Sequence, residues 1–276
     1  MTAELRLQSR SVDTVLGRIR VQVSAGTGPA VLMWPSLLMT GDLWSGQAAR
    51  FAASNRLVLI DPPGQGASEP LRAMFTFTDC ARCVVDLLDG LGLPTAHFVG
   101  NSWGGMIGAT FAALYPDRVG RAVLMNCTAS KAGLVQKVRY LALLRAAKAL
   151  GGLRPPLTRS ALHAFLGSTS LRTRPDVVAA VRAAVEAVDV SSAGWAVRSV
   201  VPARPDQHAL LRRITTPVLV VAGAEDATFP VRETHAMADA IPGAFFTVLD
   251  RVGHLAALED ADAVNRLLAE FLFGAA

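Results

Sequence analysis

The sequence predicts an α/β fold: a mostly parallel eight-stranded sheet with helices on both faces and a block of helices inserted between two of its later strands. Three observations carry this. Short apolar runs rich in Val, Ile and Leu alternate with stretches of helical periodicity from about Ala30 to Asn126 and again from Pro217 to the closing helix. Between them, from about Lys131 to Ala203, no strand-like run occurs and apolar residues recur at helical spacing. One strand, Ala96 to Val99, runs into Gly100-Asn101-Ser102-Trp103-Gly104 and then into a small-residue helix.

Taken in order, Leu5 to Arg10 and Arg18 to Val23 read as an opening antiparallel pair. Ala25-Gly26-Thr27-Gly28-Pro29 reads as a turn, and Ala30 to Trp34 as the third strand. Asp42 to Ser54 has helical spacing, with Asp42 as its N-cap. Arg56 to Ile60 is a strand, followed by the loop Asp61-Pro62-Pro63-Gly64-Gln65-Gly66-Ala67-Ser68. Thr76 or Thr78 caps a helix that runs to Leu91. Pro116 ends the helix after Ser102, and Arg121 to Asn126 is the next strand. The inserted helical positions include Leu134 to Ala147, Leu157 to Leu166, Val177 to Val188 and Ala193 to Val201. After the insertion come a strand at Val218 to Ala222, a helix at Val231 to Ile241, a strand at Phe245 to Leu249 and a closing helix at Leu258 to Phe271. The expected division is a core of residues 1–127 and 206–276 carrying a helical cap, or lid, of residues 128–205. An insertion at the carboxyl edge of a parallel sheet lies over the place where ligands bind.

Composition narrows the function classes. The 276 residues are enough for one large domain with an extensive core. Net charge is +5, but the basic residues are scattered and not interleaved with aromatics, which argues against nucleic acid. No apolar run approaches the ~18 residues of a membrane span. Met1 to Arg10 has no apolar core of a secretory signal, so a cytoplasmic protein is expected. Cys80 and Cys83 fall on a helix without a second pair or a neighbouring histidine, and Cys127 follows an apolar strand; all three read as packed thiols. Histidines and carboxylates show no ligand spacing, so neither a metal nor any other cofactor is implied.

The chemistry centres on Ser102. Gly-x-Ser-x-Gly between strand and helix holds a serine on a strained turn, its hydroxyl exposed above the sheet at a helix N-terminus. The serine needs a base, and the base needs an acid to orient it. His254 lies in the loop between the last strand and the last helix, which a parallel sheet delivers to the same edge as Ser102. His97 lies inside a strand, His235 inside a helix, and His163 and His208 in or beside the insertion. The acid candidates are Asp226 and Glu225, after the strand that ends near Ala222, and Asp250; Asp226 is favoured. Asn126, at the end of the preceding strand, is an amide and cannot take the role. An oxyanion hole requires two backbone N–H donors. Trp103 supplies one. Pro35 has none to give, so the second comes from Ser36 or Leu37, with Leu37 favoured. For substrate binding, Trp34, Trp103 and Trp195 are candidates to wall an apolar pocket. Ser36 adjoins them, and His163, Arg198 and Arg139 are polar candidates from the insertion, Arg198 fitting an acidic substrate.

The order Ser102, Asp226, His254, the elbow and the insertion after the sixth strand resemble the α/β-hydrolase superfamily across essentially the whole chain. Asp61-Pro62-Pro63-Gly64-Gln65-Gly66-Ala67-Ser68 is similar to that superfamily's Asp-x-x-Gly-x-Gly-x-Ser loop. Ser36 to Trp44 resembles the corresponding segment of 3-oxoadipate enol-lactonases, with Leu38 where those have glycine. The Gly-Asn-Ser-x-Gly-Gly elbow also resembles that of carbon–carbon bond hydrolases, whose glycine-rich His-Gly-Ser-Gly-Pro-Gly segment this chain lacks. The resemblance implies an α/β-hydrolase fold and a serine hydrolase that cleaves a small ester or lactone through an acyl-enzyme. Cleavage of a diketone-type carbon–carbon bond and a non-catalytic ligand-binding role are the alternatives. The implied partner is the small-molecule substrate, with no nucleic acid or membrane, and a homodimer is left open.

Overall fold

The computed structural model describes residues 7–274. Eight strands form one sheet: β1 (Leu7–Thr14), β2 (Gly17–Ser24), β3 (Gly28–Trp34), β4 (Asn55–Ile60), β5 (Ala96–Asn101), β6 (Val119–Met125), β7 (Val218–Gly223) and β8 (Phe245–Leu249). Their spatial order is β1-β2-β4-β3-β5-β6-β7-β8. β2 pairs antiparallel with both β1 and β4, and every later pairing is parallel. The opening pair is longer than the alternation in the sequence suggested; Leu5 and Arg6, at the start of its expected first strand, lie outside the described residues, as does the Met1–Arg6 part of the segment read for a signal.

Among the described residues, twelve α-helices accompany the strands: α1 (Ser45–Phe51), α2 (Phe77–Gly90), α3 (Trp103–Leu114), α4 (Leu134–Ala149), α5 (Leu157–Phe165), α6 (Ser168–Thr173), α7 (Pro175–Glu186), α8 (Val190–Val200), α9 (His208–Leu211), α10 (Val231–Asp239), α11 (Ala256–Glu259) and α12 (Ala261–Phe273). The pleat sends alternate side chains to two apolar layers. Leu32 and Trp34 of β3 enter the layer that holds α2, α3 and α10, whereas Val31 and Met33 enter the one that holds α1 and α12. Six helices, α4 to α9, lie between β6 and β7, the first five of them within residues 128–205. They extend both layers, through Ala196 and Val200 on one side and Leu162 and Val181 on the other.

Side-chain caps fix a few of the boundaries. Thr76 and Asp79 close a reciprocal capping box at the start of α2: the Asp79 N–H donates to Thr76 Oγ1 at 3.1 Å and the Thr76 N–H to Asp79 Oδ2 at 2.8 Å. Asp42 is not a cap. The chain enters a short 3-10 turn at Gly41–Trp44 capped by Thr40, and only then α1. The closing helix is interrupted, because Asp260 leaves helical geometry and caps α12 with its side chain. The loop after β4 is bonded to itself and to the 3-10 turn: Ser68 Oγ donates to the Asp61 carbonyl at 2.6 Å, Asp61 Oδ2 accepts from the Ala67 amide and Asp61 Oδ1 from the Gly41 amide, both at 3.0 Å.

What this frame does for function is bring strand ends into step. Trp34 pairs with Gly100, Asn101 with Met125, Met125 with Val221, and Gly223 with Leu249. The loops after β3, β5, β6, β7 and β8 therefore emerge at one edge.

Candidate active site

Ser102 joins β5 to α3 with φ 57° and ψ −110°, a region L-residues rarely occupy. The turn closes only with glycine on both sides. A Cβ on Gly100 would lie 2.3 Å from the Gly104 backbone, and one on Gly104 would lie 2.1 Å from the Trp34 carbonyl oxygen. Two backbone bonds and a side chain hold the geometry. The Ser102 N–H donates to the Met125 carbonyl at 2.8 Å, the Met106 N–H to the Ser102 carbonyl at 3.0 Å, and Asn101 Nδ2 to the His254 carbonyl at 2.9 Å.

The structure brings His254 and Asp226 together. His254 Nδ1 is 2.8 Å from Asp226 Oδ2, and both side chains are buried. Asp226 Oδ1 accepts from the Thr228 and Phe229 amides at 2.8 and 3.0 Å, while Oδ2 also accepts from Asn126 Nδ2 at 3.1 Å. Three N–H donors and the His254 ring thus surround the carboxylate and fix its plane. Asn126 sits at φ 51° and donates a further bond to the Gly253 carbonyl at 2.9 Å, tying β6 to the His254 loop. His254 lies between Phe165 and Phe229, whose ring centroids are 5.9 and 5.5 Å from its own. Its loop docks on the end of α5, where the His254 and Leu255 N–H groups share the Phe165 carbonyl. Gly253 permits this approach, since a Cβ there would be 2.1 Å from the Gly167 nitrogen.

Ser102 and His254 border one cavity of about 710 Å³ between the sheet edge and the inserted helices. This shared cavity relates the two side chains; the ring's hydrogen bond is to Asp226. Leu37 and His163 also border it, His163 from an exposed position. Among the described residues, the Leu37 and Trp103 N–H groups donate to no protein oxygen. The remaining histidines lie apart: His208 and His235 pair with Asp206 and Asp239, each at 3.0 Å, and His97 packs against Phe273. Glu225 is taken up by Thr169 and Ser168, and Asp250 is exposed.

Four expected pocket residues do not face the cavity, nor does the Trp103 ring. Trp34 and Trp103 meet edge to face at 5.5 Å, and Phe75 stacks on Trp103 at 5.6 Å. All three rings are buried in the α2–α3 layer, because the pleat that ends β3 and the first turn of α3 direct them beneath the site. Ser36 is also fully buried behind the cavity wall. Trp195 and Arg198 lie on the other side of α8, with the guanidinium 5.0 Å from the Trp195 ring centroid. The helical period gives the cavity Ala193, Gly194, Val197, Val200 and Val201 instead. The residues missed are Leu38, Tyr140, Phe229 and Arg204, which line the cavity. Only Leu38 left a signal, as a leucine in place of glycine, and its φ of 66° shows what that glycine position requires.

A parallel sheet with a strained serine after its fifth strand and a buried His–Asp pair after its last two is the arrangement of α/β hydrolases. The chain belongs to that family: residues 29–261 match the family model described as alpha/beta hydrolase fold. It is 31% identical over 271 residues to a 2-hydroxy-6-oxononadienedioate/2-hydroxy-6-oxononatrienedioate hydrolase of Paraburkholderia phymatum, covering 94% of this chain and 89% of that one. It is 28% identical to 3-oxoadipate enol-lactonase 2 of Acinetobacter baylyi, covering 86% of each. The enol-lactonase from Burkholderia xenovorans LB400 shares its fold, with a TM-score of 0.86 at 24% identity over 95% of this chain and 99% of that one. Among the described residues, no helix is long and apolar enough to cross a membrane, and no three His, Cys, Asp or Glu side chains are grouped to hold a metal ion.

Proposed function

We propose that this chain is a serine hydrolase that cleaves a carboxylic ester or lactone through an acyl-enzyme, with residues 128–205 acting as a cap over the substrate. The observation that carries the reading is the buried 2.8 Å His254–Asp226 contact opening onto the same cavity as the strained Ser102. Ser102 Oγ attacks the carbonyl carbon while His254 Nε2 takes its proton. The negative charge on the carbonyl oxygen is met by the Leu37 and Trp103 N–H groups, whose lack of protein acceptors supports the assignment. Collapse breaks the acyl–oxygen bond, and the proton on His254 passes to the leaving alkoxide or enolate. Water then attacks the acyl-enzyme, with His254 again as base, and releases the acid. Asp226 holds the proton of the resting imidazole on Nδ1 and stabilises the imidazolium.

A second reading, hydrolysis of a carbon–carbon bond in a diketone-type substrate, is favoured by the activity named for the Paraburkholderia relative. Fluorophosphonate labelling with a Ser102→Ala control tests the nucleophile. A wild-type protein that takes no label and leaves p-nitrophenyl acetate intact refutes the serine-hydrolase reading. Product analysis on matched esters, enol-lactones and β-diketones separates the two reactions.

A further inference from the structure

The cavity has one sign of charge. None of its lining side chains is a carboxylate, whereas two, Arg139 and Arg204, carry guanidinium groups. Arg139 is exposed at the mouth, but Arg204 is only 5% exposed. Buried guanidiniums are ordinarily paired, because removing an ion from water costs several kcal/mol. Among the described residues, no carboxylate lies within 4.0 Å of Arg204. Its partners are neutral: Nε donates to the Ser130 carbonyl at 2.8 Å, Nη1 to the Val200 carbonyl at 3.5 Å and Nη2 to Gln136 Oε1 at 3.3 Å. Three of five N–H groups are thereby used and two remain. Burial lowers its pKa, yet a guanidinium begins so high that it stays charged at neutral pH.

These contacts tie the two ends of the insertion, at Ser130 and Val200, but a tie to neutral acceptors does not require a fixed charge. Glu233 acts on the guanidinium only through space, so, among the described residues, no anion contacts it within the protein. The guanidinium is 5.5 Å from the Phe229 ring centroid, which is itself 5.5 Å from that of His254, so the cation lies within two such steps of the base. Val197, Val200 and Val201 line the cavity on the α8 side. We propose that Arg204, held by Gln136 and the Ser130 carbonyl, is an anion subsite, and that the substrate bears a carboxylate separated from its scissile carbonyl by an apolar chain.

The proposal rests on the hydrolase reading for its turnover test, which compares p-nitrophenyl hydrogen adipate with the chain-matched neutral p-nitrophenyl hexanoate. The wild-type ratio of kcat/KM is expected to favour the anionic ester by roughly tenfold or more, the worth of one charge-assisted pair. Arg204→Met should bring the ratio to near one, and Arg204→Lys should keep part of it. A wild-type ratio at or below one overturns the proposal, as does a ratio that survives in Arg204→Met. If Arg204→Met does not fold, Arg204→Lys and wild type decide the matter with the same ratio. Binding separates this from the hydrolase reading. Monomethyl adipate, but not dimethyl adipate, should raise the melting temperature of Ser102→Ala protein. Equal shifts, or none, refute the subsite, whereas failure of fluorophosphonate labelling in wild type refutes only the reaction.

Discussion

Replacing Asp226 with Asn tests the site at its most constrained point. The change is nearly isosteric, so its consequence follows from hydrogen-bond sense. Asp226 Oδ1 accepts two main-chain N–H groups, from Thr228 and Phe229, and these will hold the amide oxygen of the new side chain. Its NH2 must then occupy the Oδ2 position, 2.8 Å from His254 Nδ1 and 3.1 Å from Asn126 Nδ2. A donor now faces Nδ1, so the neutral ring must offer a lone pair there and carry its proton on Nε2. An Nε2–H cannot take the proton of Ser102. Asn126 can adapt, since its Oδ1 has no partner and can accept from the new amide after rotation. His254, the proposed base, has no such alternative. The equivalent tautomer error in chymotrypsin-type proteases lowers kcat about 10⁴-fold, or ~5 kcal/mol of barrier, and a loss of that size is expected here. Fold stability should fall by about 1–3 kcal/mol, as two bonds to a buried charge are lost. The assay is kcat on p-nitrophenyl acetate alongside ¹⁵N chemical shifts of the imidazole. A loss of less than about tenfold, or a proton still on Nδ1, refutes the orienting role of Asp226. Glu225→Gln is the control and should change kcat by no more than about twofold, because Glu225 spends its oxygens on Ser168 and Thr169.

Other perturbations address the surroundings. Leu38→Gly removes a left-handed leucine that costs ~1–2 kcal/mol and also removes a half-buried side chain, so the melting temperature should move by less than about 4 °C. The same variant should raise turnover of branched over linear acyl esters, and an unchanged preference would show that Leu38 does not shape the cavity. Cys80, Cys83 and Cys127 are free and buried, and burial pushes all three thiols upward, Cys83 to about 12. Ellman's reagent should titrate none of them in native protein and all three in guanidinium chloride; rapid native labelling would contradict this packing. Burial raises the pKa of Glu259 above the ordinary 4.5, despite its bonds from the Gly167 and Leu255 amides. The folded state therefore holds that proton more tightly than the unfolded chain. This contribution is complete at lower pH and is lost as pH rises from 4.5 through the folded value. Glu259→Gln should flatten that fall in melting temperature, and an identical slope would show that Glu259 ionises without cost.

By itself, the sequence determined the layered α/β architecture, the succession of strands and helices along the chain and the triad candidates, because these depend on period and position. Continuous apolar runs make buried parallel strands, and a helical period makes the flanking layers; the spatial order of the strands came from the structure. Chain order then delivers the loops of Ser102, Asp226 and His254 to one edge without any knowledge of side-chain contacts. Tertiary structure alone decided which side chains meet in the cavity. Trp34 and Trp103 qualified by type and nearness to Ser102, but the pleat and the first turn of α3 turned both rings beneath it. Arg198 and Arg204 differ little as letters six residues apart. One stacks on Trp195 on the far side of α8, and the other closes against Ser130 and Gln136 from the opposite end of the insertion. Nothing local distinguishes them, because the burial of Arg204 depends on partners some 70 residues away in the chain, brought near only when the helices pack.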